Sequence, residues 1–376
     1  MSNAASECPM SFVFFLSDGD LSHNGAVLSQ SPVSDDSWKS DIFRESVILS
    51  VPGIKFTLRD KKKKKGRKRI DMLRHAYLII AHGNWDQLAL LLSLLDAPNN
   101  TIYIHIDRKA EDVPREKLER AVTLSQIHIY QQYKVYWGSY ELVQTEIFLF
   151  EKAHREGYDY YHLLSGADLP IKSLGYIENF FERNRGYEFI HYDTDERLKK
   201  DRELGRRTRL YHFLQNYRRR YRAKALNSCF TFGERILLAA QLAAGVDRMK
   251  KYPGFQIRYG SQWVSITDEL VSYILGQKEL IRSVFMYTNC ADELFIQSLV
   301  YNSRFRNRLY DRKYDDDVRG NMRLIDMKSR GKNGNPYTWR DSDWEEIRDS
   351  ECLFARKFDW NTDQSIIERV REYVSE

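Results

Sequence analysis

From residue 72 onward the chain alternates short apolar runs with amphipathic stretches, an order that few folds accommodate. HAYLIIAH (residues 75–82) reads as a buried strand, WDQLALLLSLLD (85–96) as a helix and TIYIHID (101–107) as a second strand. IHIYQQ (127–132) is a third strand, ELVQTEIFLFEKAHREG (141–157) a long helix and YDYYHLLSG (158–166) a fourth strand. Runs that are apolar at nearly every position belong to strands buried on both faces. The predicted class is therefore α/β, a Rossmann-type, mainly parallel sheet with helices on both faces.

Ligands of such sheets bind beyond the carboxyl ends of the strands. Here the first strand ends at His82 and Gly83, the second at Asp107, Arg108 and Lys109. VYWGSY (135–140), with Gly138, follows the third, and SGADLPIKS (165–173), with Asp168, follows the fourth. A single Gly or Asp after a strand is usually turn chemistry. Four chemically loaded ends on one edge predict a nucleotide crevice.

A hydrophobic content of 42% supplies one large core, placed in a catalytic domain over residues 72–376 with a basic helical insertion near 197–250. Residues 1–71 form an extension that begins MSNA and ends KKKKKGRKRI; it reads as a disordered tether or a tag remnant. No apolar stretch reaches membrane-spanning length. ILLAAQLAAGV (236–246) is too short to span and is expected to be a buried helix. MSFVFFLSD (10–18) has no preceding basic residues and makes a poor signal peptide. Four scattered cysteines without a CxxC pair fit a reducing, cytoplasmic setting.

The net charge is +6, and residues 197–224 hold twelve Lys or Arg against two acids, interleaved with Tyr211, His212, Tyr217 and Tyr221. Such a strip suits an anionic membrane surface, with the protein peripheral on its inner face. A nucleic-acid-binding module is the rival reading. No helix-turn-helix, zinc or RNP signature accompanies the strip, so nucleic acid is not an expected partner. The 24 Tyr and 7 Trp serve either as sugar-stacking platforms or as ordinary packing.

Six collinear segments carry a resemblance: LIIAH (78–82), IHIDRKAE (104–111), SGADLPIKS, GSQWVSIT (260–267), ADELFIQSLV (291–300) and LFARKFD (353–359). Over residues 74–358 the chain resembles the core-2/I-branching N-acetylglucosaminyltransferases and peptide O-xylosyltransferases, glycosyltransferase family 14. The resemblance implies a GT-A-like fold, a UDP-sugar donor, inversion at the anomeric carbon, and no metal or other cofactor. It puts the catalytic base, a glutamate in an Asp-Glu segment that opens a helix, on Glu293, with Asp292 as the helix cap. It puts the donor's diphosphate on Arg323 and Lys357, and the nucleotide on His82, Asp107, Arg108, Gly138 and Asp168. Gly260, Ser261 and Trp263 fall toward the acceptor or sugar. UDP-N-acetylglucosamine is the first-choice donor, with UDP-xylose, UDP-glucose and UDP-galactose as alternatives; the acceptor is a glycan or lipid-linked glycan. The basic insertion and the scarcity of cysteine depart from the secretory members and point to a bacterial, cytoplasmic branch. A catalytically dead scaffold is the remaining alternative, opposed by the retention of Glu293 and Lys357.

The chemistry asks for the same parts. One-step displacement needs a carboxylate to take the acceptor proton and fixed cations for the charge growing on the leaving diphosphate. Where many nucleotide-sugar enzymes place an Asp-any-Asp metal motif, this chain reads Ser165, Gly166, Ala167, Asp168, one carboxylate where a hard cation wants several oxygens. YDDDV (314–318) has that spacing in Asp315 and Asp317. It lies near Arg306, Arg308, Arg312 and Lys313 and reads as a solvated loop.

Overall fold

The computed structural model describes residues 72–217, 220, 221, 223–331 and 335–376. The predicted extension over residues 1–71 lies outside them. Among the described residues eight strands are present: β1 (His75–Ala81), β2 (Asn100–Ile106), β3 (Gln126–Tyr130), β4 (Tyr160–Ser165), β5 (Asp168–Pro170), β6 (Ser265–Thr267), β7 (Arg323–Ile325) and β8 (Phe354–Arg356). The main sheet runs β3-β2-β1-β4-β6, with the first four strands parallel and β6 antiparallel on the β4 edge. The mainly parallel α/β architecture predicted from the alternating pattern is the one observed.

Both faces of the sheet are covered, because successive side chains of a strand point to opposite sides. On one face Tyr77, Ile79, Ile102 and Ile104 cluster with Leu88, Leu91 and Leu92 of α1 (Trp85–Leu94). The short α2 (Arg115–Glu119) joins this side through Leu118. On the other, Ala76, Leu78 and Tyr103 cluster with Val143, Ile147 and Phe150 of α3 (Tyr140–His154). Each fully buried aliphatic side chain contributes about 1.5–3 kcal/mol.

The strand order reverses at β1, with β2 and β3 to one side and β4 to the other. In sheets of this kind ligands bind beyond the carboxyl ends of the strands, here those of β1 and β4, at such a switch. A second sheet, β5-β8-β7, folds the C-terminal segment back to it and pairs Asp168 with Arg356 across an antiparallel ladder. Helices α4 (Leu174–Arg183), α5 (Asp195–Lys200), α6 (Arg202–Arg209) and α7 (Lys224–Ala243) follow β5. Next come α8 (Asp268–Gly276), α9 (Lys278–Phe285) and α10 (Phe295–Tyr301), all in the cluster around α3. α11 (Trp344–Asp349) and α12 (Gln364–Ser375) close the α1 side.

One expectation is overturned. The apolar stretch beginning at Ile236 is helical within α7 but not buried: Glu234 alone of the helix's described residues is buried. The reason is polar docking. Glu234 and Gln241 hydrogen-bond the Leu214 and Tyr211 backbone, Asn227 that of Tyr221 just before the helix, and the apolar face is left outward.

Candidate active site

The turn that bears Glu293 is a short 3-10 segment, Ala291–Glu293, entered through Cys290 in the left-handed region and followed by α10. Asp292 does not cap that helix, correcting the sequence expectation. α10 starts only at Phe295, and the side chain of Asp292 is turned into the interior instead.

Two glycines set the turn in place. Gly260 donates its N–H to the Glu293 carbonyl (3.0 Å), and a Cβ there would sit 1.9 Å from the His191 carbonyl oxygen. Gly138, at φ +74°, accepts from the Cys290 N–H (3.0 Å), and a Cβ would lie 2.7 Å from Asn289 Oδ1. Gly138, expected at the nucleotide, is thus packed against the turn that bears Glu293. Neighbouring Ser261 donates its N–H to His191 Nδ1 (3.1 Å) and accepts from Gln297 Nε2 (2.7 Å) at its carbonyl. Burial lowers the His191 imidazole to about 4, so the ring is neutral, with its proton on Nε2 facing Asp316 at 2.9 Å.

The Glu293 carboxylate is about a quarter exposed, and its Oε2 accepts from Arg207 Nη1 at 3.1 Å. The Tyr259 hydroxyl also hydrogen-bonds it. Burial raises its pKa above the ordinary 4.5, while Arg207 pulls in the opposite direction. Behind it, burial and the Glu293 charge push Asp292 up to about 7. Glu146 of α3 is fully buried, is raised well above the usual range by burial and by Asp292, and accepts from Gln262 Nε2 at 2.7 Å. Asp292 Oδ1 and Glu146 Oε2 have no partner among the described residues. A carboxylate whose basicity is raised by burial and which stands at a solvent edge is equipped to accept a proton.

The strand ends converge as expected, with individual differences. His82 and Arg108 are exposed at the ends of β1 and β2. Asp107 is buried; it accepts from the Lys109 N–H (2.9 Å) and pairs with Lys109 Nζ (3.1 Å), which sits 4.2 Å over the Tyr136 ring. Asp168 is also buried and engaged, accepting from Ser165 N–H (2.9 Å), Ser165 Oγ (2.8 Å) and Arg356 Nη1 (2.8 Å). Trp263 is nearly covered, with the Arg356 guanidinium 4.7 Å over its ring. Lys357 is half-buried, and its ammonium makes no hydrogen bond or ion pair among the described residues.

Arg323 departs from its expected role. Its side chain is 1% exposed, donating to the carbonyls of Asn321 (2.6 Å) and Val264 (3.1 Å) and to Ser265 Oγ (2.8 Å). A guanidinium enclosed in this way supports the core and does not present itself to a diphosphate. The arginine at the open edge beside Lys357 is Arg356.

The acidic loop likewise differs from a fully solvated one. The carboxylates of Asp311, Asp315 and Asp317 lie within 4.8 Å of one another and could hold a cation, although Asp317 is already paired with Arg319 Nε at 2.8 Å. Asp316 packs against His191.

Sequence reasoning missed three residues. Glu146 had a signal, an acid between the buried Val143, Ile147 and Phe150 on the apolar face of α3. Arg207 had none, one cation among twelve in its segment. Arg356 was overshadowed by Lys357 in the same motif.

A family model described as Core-2/I-Branching enzyme matches residues 75–350. Xylosyltransferase oxt of Drosophila pseudoobscura pseudoobscura is 24% identical over 328 residues, 82% of this chain and 34% of that protein. Xylosyltransferase 2 of Homo sapiens is 23% identical over 319 residues, 79% and 33% of the two chains. The chain spans about a third of the length of the curated relatives it matches. Among solved structures, mouse xyloside xylosyltransferase 1 in its apo form aligns at TM-score 0.28 and 10% identity, over 60% of this chain and 81% of that one.

Proposed function

Because the chain belongs to the Core-2/I-Branching enzyme family, we propose that it is an inverting glycosyltransferase that moves a sugar from a UDP-sugar to a hydroxyl of a glycan acceptor. The carrying observation is the Glu293 carboxylate, its pKa raised by burial, held by Arg207 and Tyr259, and still open to solvent. In this reading Glu293 takes the acceptor proton as the hydroxyl oxygen attacks the anomeric carbon from the face opposite the diphosphate. The C–O bond to the nucleotide breaks as the new glycosidic bond forms, and configuration inverts.

Lys357 and Arg356 are assigned to the leaving diphosphate, a point charge beside a planar fork. His82, Asp107, Arg108 and Asp168 border the nucleotide crevice; Gly260, Ser261 and Trp263 line the sugar side. With cations in this role the reaction would proceed without a divalent metal. The Asp311, Asp315 and Asp317 cluster is the site that would serve if it did not.

UDP-N-acetylglucosamine and UDP-xylose are both candidate donors, the second favoured by the names of the xylosyltransferase relatives. A cytoplasmic protein at an anionic membrane surface, acting on a lipid-linked glycan, completes the proposal. A donor screen by released UDP, with and without EDTA, tests it. Turnover of one UDP-sugar that persists in EDTA supports the reading; UDP release from none of the donors contradicts it.

A further inference from the structure

Helix α7 is turned inside out relative to an ordinary surface helix. Asn227, Glu234 and Gln241 are seven residues apart and share one face, and that polar face is the docked one. Gln241 bridges the Tyr211 backbone, accepting from its N–H (2.8 Å) and donating to its carbonyl (2.9 Å). Glu234 accepts from the Leu214 N–H at 2.9 Å, with His212 Nδ1 3.0 Å away. The outward side carries Leu226, Phe232, Ile236 and Leu237, of which Phe232 is 65% and Ile236 54% exposed. At 3.6 residues per turn these four fall within about 140°, and no charged residue of the helix lies in that arc.

A contiguous apolar face of this kind marks a surface that meets something apolar. Cations rim it. Lys224 and Arg235, both exposed, lie on the helix between its docked polar face and the apolar arc. An apolar face bordered by Lys and Arg complements the acyl and headgroup layers of an anionic bilayer. A twofold contact with a second copy, centred on Phe232 and Ile236, would instead bring the two Arg235 side chains near one another, a like-charge arrangement that disfavours association. No helix among the described residues is long and apolar enough to cross a membrane. The polar face of α7 is occupied by protein, so the helix would lie in the plane of the surface.

We propose that the outward face of α7 docks this protein onto an anionic lipid bilayer, inserting Phe232 and Ile236 at the headgroup boundary. Arg207, the partner of Glu293, lies in the last turn of α6 just before Tyr211 and Leu214, the residues that hold the polar face of α7. Docking therefore holds the candidate active site beside the leaflet. That this position would present a lipid-linked acceptor to Glu293 rests on the transferase reading above; the docking itself does not.

The test is flotation of the full chain with vesicles of phosphatidylcholine alone or mixed with phosphatidylglycerol. The protein is expected to float with the anionic vesicles. Phe232→Ser with Ile236→Ser should lower the bound fraction at least about tenfold. Lys224→Gln with Arg235→Gln should weaken binding several-fold and flatten its dependence on anionic lipid. In Phe232→Trp, fluorescence should shift to the blue on vesicle addition. Equal flotation with phosphatidylcholine alone, or undiminished flotation of the Phe232→Ser, Ile236→Ser protein, overturns the proposal. So does a lipid-free dimer in sedimentation that dissociates in that variant. UDP release in solution, measured on the same preparations, should be unchanged by the α7 substitutions. Flotation without UDP release would sink the transferase reading and leave the docking surface standing.

Discussion

Replacing Arg207 by glutamine changes the electrostatics of Glu293 in a direction the geometry fixes. The base works when ionised; burial raises its pKa above the ordinary 4.5 and Arg207 opposes that rise. Removing the guanidinium removes the opposition, so protonation persists to higher pH and the acidic limb of kcat/KM must move upward. At the observed 3.1 Å, Coulomb's law with the dielectric of water gives about 1.3 kcal/mol, about one pH unit. The site is drier than water, both side chains being only about a quarter exposed. The expected displacement is therefore about 1–3 units. The assay is UDP release across pH with the donor that turns over, for wild type, Arg207→Gln and Arg207→Lys. The lysine variant should return most of the shift, because it restores the charge. A limb that stays in place or moves to lower pH in Arg207→Gln refutes the reasoning.

Three further outcomes follow from the structure. Gly260→Ala should lower stability by about 1–3 kcal/mol and reduce turnover, because its Cβ meets the His191 backbone; wild-type melting and activity would show that the turn is not held there. Glu146→Gln should melt at or above the wild-type temperature at about pH 8. The folded-state pKa of Glu146 is raised, so its contribution is full below the unfolded value and lost as pH rises through the folded one. A drop of several degrees at about pH 8, with none at about pH 5, would contradict that protonation. Lys357→Ala should raise the donor KM about 10- to 100-fold, as loss of a charge-assisted contact implies; an unchanged KM would remove Lys357 from the diphosphate.

The sheet was legible because β1, β2 and β4 are buried on both faces and so read as unbroken apolar runs. The residues expected to follow them, His82, Asp107 and Asp168, do stand at the carboxyl edge of the sheet. Burial of α7 was misjudged for a physical reason: its apolar content outweighs three polar residues, yet those three make the contacts. The heptad spacing of Asn227, Glu234 and Gln241 was visible in the chain and was the available warning. Arg323 and Arg356 illustrate a different limit. Both are arginines in apolar strands, β7 and β8, and only the three-dimensional pairing shows that one faces Ser265 and the other Asp168. Arg207 reaches Glu293 across 86 positions of sequence, a contact that no local spacing encodes.

The central claim is that Glu293 is the base. Glu293→Gln keeps the size of the side chain and its contact with Arg207 while abolishing basicity. Turnover of the donor and acceptor pair, measured beside donor affinity by calorimetry, tests the claim directly. The account predicts a fall of at least about 10² in kcat with donor binding retained. Turnover at the wild-type rate would contradict it.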